Sequence, residues 1–532
     1  MDRLFLCEKP SQARDIARIL GASTDGPGCL VGNGVTVTWC FGHLFELAYP
    51  ESYDPGLKVW SLESLPIIPD SWRMELKAKA SKQFTHIKRL LGKATEVVIA
   101  TDADREGESI AREVLAHCNW RGPTKRLWLS ALDPASVRKA LSNIMPGEKT
   151  EPLYRAGLAR LQADWLMGMN LTRLYTILGR MQGGNGVLSV GRVQTPTLRL
   201  VVDRDRAIEN FKPKTYWTVS GTFEVPAGRF QAKWMPPEAV VDQEGHCVKE
   251  DLARAVAKRS RNATGTISRV ETERKKEAPP LPFDLNTLQQ MADRRYGLEV
   301  QKTLDLAQSL YETHKAVSYP RTDSRYLPVS QFLEASDVLA AMRASDPRIG
   351  HLIDEADTEI RSRAWNDSKV TAHHAIIPTQ AVVDVGAMNR DEFRIYDLIR
   401  RQYLAQFFPR HEYDRTVLEV LAGDDRFVAS GQMERVAGWK AVLGSSTDDE
   451  DETKARLPSV EERQPVEVLS AEVMEKKTSP PPRFTQGSLV SAMKNVAKVV
   501  TDEDLRVSVP TVIDVLISRL FDGRTGGWTP AG

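Results

Sequence analysis

The chain is poor in the residues that would make it a disulfide scaffold, a membrane protein or a nucleotide-driven motor. Its five cysteines (Cys7, Cys29, Cys40, Cys118 and Cys247) stand far apart among 532 residues, with no C-x-x-C pair. That spacing argues against a structural zinc site and for reduced thiols in a cytosol. No apolar run approaches the roughly 18–20 residues that span a bilayer, so no membrane association is expected. Leu4-Phe5-Leu6 is followed at once by charge, too short a stretch for a secretory core. No G-x-x-x-x-G-K-[ST] occurs, which argues against a P-loop and leaves ATP out of the expected cofactors. There is no internal repeat, and neither sign of charge dominates, with 72 basic residues against 71 acidic ones. The overall balance therefore does not announce a polyanionic partner.

Local composition says more. Residues 152–202 hold Arg155, Arg160, Arg173, Arg180, Arg192 and Arg199, no lysine and one acid, Asp164. Arginine suits phosphate because its planar fork donates two parallel hydrogen bonds; a set of solvated helix faces is an equally weighted alternative for the stretch taken alone. The length implies three or four domains, since one domain usually holds about 100–200 residues.

Leu4 to Cys7 reads as a buried strand, Glu8-Lys9-Pro10-Ser11 as a turn, and the stretch with Ile16, Ile19 and Leu20 as a helix. Ser11 is the expected N-cap and Gly21 the expected stop. Val97 to Ala100 repeats the pattern and leads through an acidic loop to a helix with Ile110, Val114 and Leu115. Two such units predict an α/β domain with a parallel sheet over residues 1–150. Ligands of such sheets sit beyond the carboxyl ends of the strands, where Glu8 and the Asp102–Glu106 cluster both fall.

Residues 151–210 read as helical, broken at Gly183-Gly184-Asn185-Gly186. Segments 215–270 and 412–442 alternate apolar and polar residues as half-buried strands do. Ala278-Pro279-Pro280-Leu281-Pro282-Phe283 and Ser479-Pro480-Pro481-Pro482 are stiff linkers. The chain between them is helical up to about residue 315 and again over 391–408, and Asp448 to Glu452 is an acidic run expected in an exposed loop. With β-rich segments on both sides, the region around Ser318-Tyr319-Pro320-Arg321 reads as an insertion within a β-rich domain.

Two pieces carry chemistry. In Thr101-Asp102-Ala103-Asp104-Arg105-Glu106 the carboxylates alternate, so Asp102 and Asp104 share one side of an extended segment and Glu106 opens the next helix. Converging carboxylates repel unless a cation lies between them, and hard oxygens select Mg²⁺ or Mn²⁺. Tyr319 precedes a proline, which favours extended backbone, and Arg321 and Asp323 alternate with it. A phenol with a pKa near 10 is a weak nucleophile, and a guanidinium beside it is expected to favour the phenolate and to neutralise charge on an attacked phosphate. A tyrosine nucleophile with an acidic metal site is what cutting and resealing a phosphodiester requires. At His373-His374, with no acid or cysteine at ligand spacing, a phosphate contact or a structural hydrogen bond is a better reading than zinc. In Ser189-Val190-Gly191-Arg192-Val193-Gln194 the glycine permits close backbone approach while Arg192 and Gln194 alternate on one side, a shape that can grip a sugar-phosphate chain.

Assembled, these motifs resemble the type IA DNA topoisomerases, in particular their bacterial topoisomerase III branch, from residue 1 to about residue 505. Glu8-Lys9-Pro10-Ser11, Gly42-His43-Leu44 and Asp102 to Gly107 resemble the family's Toprim domain, which is Rossmann-like. Ala163-Asp164-Trp165-Leu166, Asn170 to Arg173 and Ser189 to Pro196 match DNA-gripping motifs. Tyr311-Glu312-Thr313-His314, Tyr319 to Asp323 and His373 to Thr379 match active-site motifs. The resemblance implies a multidomain α/β, α and β architecture of four domains, closed like a padlock around a DNA-sized hole. Its parts would be a Toprim domain (1–150), a helical body (151–214 and 480–532), a β-rich hinge (215–279 and 405–479) and a tyrosine-bearing domain (280–404).

By the same resemblance Tyr319 attacks one strand and holds its 5′ end, and Glu8 is the acid/base at the leaving oxygen. Lys9 and Arg321 stabilise the phosphate, and His373 supports the cleavage site. Glu8, Asp102, Asp104 and Glu106 hold Mg²⁺. Arg160, Asp164, Arg173, Ser189, Arg192, Gln194 and Thr322 contact DNA. The implied partner is single-stranded DNA in negatively supercoiled or catenated molecules, with a helicase or single-strand-binding protein beside a monomeric, nucleoid-associated bacterial enzyme.

One departure stands out: after Phe484-Thr485-Gln486-Gly487-Ser488-Leu489 the family's glycine-rich motif is missing, and Asp502-Glu503-Asp504-Leu505 runs into Arg506-Val507-Ser508-Val509-Pro510. The family's zinc-binding tail has no counterpart either, in keeping with the cysteine count. The altered end keeps open a catalytically impaired, strand-binding remnant, and the acids alone keep open a Toprim metal-dependent nuclease.

Overall fold

The structure, a computed structural model, describes residues 3–129, 131–370, 373–444 and 456–495. The acidic run at 448–452 and the altered segment after residue 495 lie outside the described residues.

Strand β1 (Arg3–Cys7) is buried from Leu4 to Cys7, as a strand covered on both faces must be. It feeds α1 (Pro10–Leu20), whose N-cap is Lys9 and not Ser11. Pro10 takes the first helical position, where its fixed φ fits and its missing N–H is no loss. Gly21 ends the helix at φ 74°, as anticipated. Strands β2 (Thr24–Gly26), β3 (Cys29–Gly32) and β4 (Val35–Trp39) follow, then a small sheet of β5 (Phe45–Leu47) and β6 (Met74–Leu76), with the short helix α2 (Pro50–Tyr53) between them in sequence. Helix α3 (Ser81–Leu91), β7 (Glu96–Ala100), α4 (Arg105–His117), β8 (Thr124–Arg126), α5 (Pro134–Leu141) and β9 (Met145–Pro146) complete the unit.

The large sheet runs β2-β3-β4-β1-β7-β8-β9. Its centre, β4-β1-β7-β8, is parallel, whereas both edges are antiparallel. The sequence reading missed the edges. Asn33 and Gly34, both at positive φ, form a two-residue turn that can only join antiparallel neighbours. The parallel centre puts Glu8, His43, Asp102 and Trp128 on one rim, each just past a strand end.

Helix α6 (Glu151–Met181) lies against this unit: Trp165 Nε1 donates to the Ala48 carbonyl at 3.0 Å, and Asn170 exchanges two hydrogen bonds with the backbone of Ile67. Helix α7 (Gln194–Glu209) follows the glycine-rich break. Next come β10 (Thr215–Val225), β11 (Gly228–Trp234), α8 (Glu250–Ser260) and β12 (Thr264–Glu277). The chain then leaves for a helical region of α9 (Leu285–Tyr296), α10 (Val300–Glu312), α11 (Ala335–Ser345), α12 (Gly350–Asp354) and α13 (Arg390–Leu404). It returns as β13 (His411–Ala422) and β14 (Asp425–Val436), then α14 (Lys440–Leu443), β15 (Pro465–Lys477) and α15 (Gln486–Lys494).

Six of these strands close an antiparallel barrel in the order β10-β11-β14-β13-β12-β15. Alternate residues such as Val219, Phe223 and Val225 point into its core, and α8 adds Ala253, Val256 and Ala257. Glu277 pairs with His411, so the helical region leaves and re-enters the barrel at adjacent points of one ladder. A closed barrel has no free edge, which leaves the inserted region tethered at a single rigid place.

Candidate active site

The strand-end rim is held from below by Arg126. Its side chain is fully buried and donates to the carbonyls of Ile99, Thr101, Leu127 and Asp102, the last at 2.6 Å, while Nε faces Glu108 at 2.9 Å. A guanidinium can satisfy that many carbonyls at once because it carries five donors in one plane. The backbone of Asp102 is thereby fixed, and Gly107 is required beside it, since a Cβ there would lie 2.2 Å from the Asp102 carbonyl.

Each acid on the rim has a distinct occupation. Asp102 accepts from Gln12 at 2.9 Å and from Lys9 Nζ at 3.3 Å. Lys9 also pairs with Glu312 of α10 at 2.5 Å. Glu8 Oε2 accepts from the Asp102 backbone N–H at 3.3 Å. Asp104 is the N-cap of α4, accepting from Gly107 N at 2.6 Å through Oδ1. Its Oδ2 accepts from the Tyr319 hydroxyl at 2.8 Å, although 215 positions separate the two residues. Glu106 turns away: its Oε2 lies 2.9 Å from His43 Nε2, and Glu113 holds the other ring nitrogen at 2.9 Å.

On the tyrosine side, Ser318 joins two segments, donating through Oγ to the Ala375 carbonyl and accepting from Ile377 N. Thr379 donates to the Lys315 carbonyl at 2.6 Å. These bonds lay the His373 segment beside Tyr319, whose rings stack with centroids 5.2 Å apart, and Tyr311 packs edge-on to Tyr319 at 5.5 Å. His373 Nε2 is buried with no hydrogen-bond partner among the described residues. The neighbouring His374 is buried, donates to its neighbour's carbonyl and is pushed down to about 4 by burial. One apolar cluster runs through both sides, from Phe5, Ile16 and Val137 to Leu310, Val317 and Ile376.

Burial sets the protonation states. Desolvation, then repulsion from Asp102 and Asp104, pushes the Glu8 carboxyl well above the ordinary range despite Lys9. Asp102 is raised by burial first, with Asp104 and Glu312 adding repulsion against the opposing pull of Lys9. Burial would lower Lys9, but Asp102, Glu8 and Glu312 outweigh it and keep the ammonium charged. Burial also opposes charge on His43, yet its bonds to Glu106 and Glu113 lift it to about 10. Tyr319 runs against expectation. Burial first, then Asp104, Asp102 and Glu8, raise its phenol well above the usual value, and Arg321 only partly opposes them. The resting group is a phenol donating to Asp104, not a phenolate. His373 is kept neutral by burial, against the pull of Asp104 and Asp323.

The structure thus brings Tyr319, Glu8, Lys9, Asp102, Asp104 and His373 together. It does not bring Asp102, Asp104 and Glu106 within ligand reach of one point. Among the described residues the only such group, with ligand atoms within 4.8 Å of one another, is Asp242, Glu244 and His246 on the barrel. The acids diverge because the folded chain offers each a separate donor. The donor set still suits a hard divalent cation: Glu8, Asp102 and Asp104 are crowded carboxylates whose charge Lys9 alone does not relieve.

The expected strand contacts are spread over α6, the loop before α7 and its first residue, with Thr322 apart on the tyrosine side. Arg192 grips Asp164 with both prongs at 2.6 and 2.9 Å. Ser189 and Gln194 are exposed and Arg160 is half-buried. Arg173 is buried, donating to the Leu57 carbonyl at 2.7 Å beneath Trp60, so it packs α6 onto the first unit. Thr322 is buried as well, its hydroxyl accepting from Ser324 N and its carbonyl from Leu285 N. Gln12, Arg126 and Trp128 were missed, because their partners lie on other elements and no local pattern marks them; Glu312 was quoted within a motif, without its ion pair to Lys9.

Comparison with known proteins agrees with this geometry. A family model described as DNA topoisomerase matches residues 148–512, and a Toprim domain model matches residues 3–132. The chain is 40% identical to DNA topoisomerase 3 of Vibrio cholerae over 519 residues, covering 95% of this chain and 80% of the relative. It is 42% identical to DNA topoisomerase 3 of Salmonella typhimurium, covering 95% of this chain and 79% of that protein. Among solved structures, full-length topoisomerase I from Thermotoga maritima matches with a TM-score of 0.71 at 27% identity, covering 98% of this chain and 78% of that one.

Proposed function

The chain belongs to the type IA DNA topoisomerases, and from that premise we propose that Tyr319 is its nucleophile and that the Toprim rim supplies the acid, the cations and the metal ligands. As such an enzyme it cuts one DNA strand, holds the end as a 5′-phosphotyrosine, passes DNA through the gap and reseals it. The observation that carries the residue assignment is the hydrogen bond from the Tyr319 hydroxyl to Asp104 Oδ2.

In the forward step the Tyr319 oxygen bonds to phosphorus and the P–O3′ bond breaks. Asp104 Oδ2 stands where the phenolic proton must go, and Glu8, which the site favours in its protonated form, delivers a proton to the departing O3′. Resealing reverses both transfers. Lys9 and Arg321 counter charge on the phosphate, and His373 donates to the same group when its proton sits on the unpartnered Nε2. Glu8, Asp102 and Asp104 would hold Mg²⁺, with Glu106 joining if it leaves His43; when bound, the ion relieves carboxylate repulsion and stabilises phosphate charge. No bond energy is lost to water, so ATP is not needed.

Because Tyr319 is only 3% exposed, a strand reaches it only after the tyrosine-bearing region separates from the rim, with the barrel as the tether. Ser189, Arg192, Gln194 and Arg160 would guide a single strand along α6, in negatively supercoiled or catenated DNA of a bacterial cytoplasm, with a helicase or single-strand-binding protein as the fitting partner.

The test uses supercoiled plasmid, Mg²⁺ and the Tyr319→Phe variant. Covalent DNA–protein adducts and relaxation should vanish while single-strand affinity stays within about twofold, because only the nucleophilic oxygen is lost. Adducts formed by the variant would refute the assignment. Unsealed nicks insensitive to the substitution would point to a metal-dependent nuclease.

A further inference from the structure

The motifs that identify the family leave one aromatic residue of the rim without a role. Trp128 lies just past the end of β8, two residues beyond Arg126. The Arg126 guanidinium sits 4.9 Å from the centre of its ring. Its ring also stacks on His373, with centroids 6.3 Å apart and planes 27° from parallel. His373 in turn stacks on Tyr319. A continuous pile therefore runs from the most deeply fixed side chain of the Toprim unit, through Trp128 and His373, to the nucleophile. Trp128 supplies the aromatic layer of that pile that crosses from one half of the site to the other, beside the hydrogen bond between His373 and the Ala103 backbone.

We propose that Trp128 is a positioning residue, a Toprim-borne platform on which His373 docks when the tyrosine-bearing region closes. The proposal rests on the roles assigned above to Tyr319 and His373. Its physics is simple. Each half of the site is rigid within itself, by the Arg126 carbonyl cage on one side and the Ser318 and Thr379 bonds on the other. The halves must find the same register after every opening. A broad, flat, weakly polar contact does this well, because offset aromatic stacking has an orientation preference that an ion pair in water lacks. The nearby ion pairs can tolerate sliding; a stacked imidazole cannot turn without losing the contact.

The experiment measures single-turnover adduct formation on a single-stranded oligonucleotide, with binding measured separately. Trp128→Ala should slow adduct formation by about three- to tenfold, the size of a lost aromatic contact, with the dissociation constant unchanged. Trp128→Phe, which keeps a ring, should restore most of the rate. In a His373→Ala background the same Trp128→Ala change should cost less than about twofold, because nothing remains to position. Equal cost in both backgrounds overturns the proposal. So does a loss of strand affinity matching the loss of rate, which would make Trp128 a platform for a base. Melting temperatures of all variants guard against misfolding, and the Phe variant remains informative if the Ala variant unfolds. Adducts surviving Tyr319→Phe would instead remove the assignment beneath it, a separate failure.

Discussion

Two acid-rich clusters of this chain invite the same label and differ in their physics. Asp242, Glu244 and His246, in the stretch between β11 and α8, have ligand atoms within 4.8 Å of one another. Yet the backbone N–H groups of His246 and Glu244 hold the Asp242 carboxyl below its usual range, and His246 stacks on Tyr216 with centroids 4.1 Å apart. The Asp242 carboxyl of that cluster is already satisfied by the chain, although His246 Nδ1 makes no hydrogen bond of its own. Glu8, Asp102 and Asp104 do not form such a compact set, but two of them are pushed toward their neutral forms by burial and mutual repulsion. Closeness of ligand atoms is thus a poor sign of a metal site. Charge that the folded chain itself leaves unrelieved is a better one.

Three outcomes would break the comparison or sharpen it. The largest concerns the ion. Chelation with EDTA should lower adduct formation and plasmid relaxation by about a hundredfold or more, and Mg²⁺ or Mn²⁺ should restore both. Undiminished relaxation in EDTA would mean that Lys9 suffices and that the rim is no metal site. The next concerns stability. Glu8 is raised from 4.5 to about 8 in the fold, so the folded chain binds its proton more tightly than the unfolded one. Its contribution is therefore fully present below about pH 4.5 and is lost as pH rises through about 8. The metal-free protein should melt roughly 2–5 °C lower at pH 8 than at pH 5.5 from this group, and Glu8→Gln should flatten that slope. A slope unchanged in Glu8→Gln, followed by calorimetry, would place the strain elsewhere.

What the sequence reveals divides along the same line. Features whose cause is local were legible: the strands at Leu4–Cys7 and Val97–Ala100, the Gly21 stop, the alternation of the barrel strands, and the proline-rich exit before α9. The state of Tyr319 was not. Two residues away Arg321 is visible and argues for a phenolate, but burial decides the matter, and the carboxylates that add to it follow β1 and β7, more than two hundred positions distant. Glu106 looked like a third ligand because its spacing is right; its partner His43 sits 63 residues earlier. Arg173 looked like a phosphate contact because arginines cluster around it; its burial against Leu57 and Trp60, more than a hundred positions earlier, left no local sign. Ser11 lost the cap because Pro10 already fits the first turn.

The smallest effect should come from the barrel cluster, and it tests the argument most cleanly because the prediction is near zero. Replacing Asp242, Glu244 and His246 together by alanine removes every ligand atom of the one geometrically tidy set among the described residues. If unrelieved charge, not proximity, marks a metal site, relaxation should stay within about twofold and the Mg²⁺ concentration for half-maximal activity should not move. Stability should fall by about 1–2 kcal/mol, from the loss of two turn hydrogen bonds and of the His246 ring stacked on Tyr216. A shift in the Mg²⁺ requirement would show that proximity alone had been the better guide, and that the rim's raised carboxylates reflect burial and nothing more.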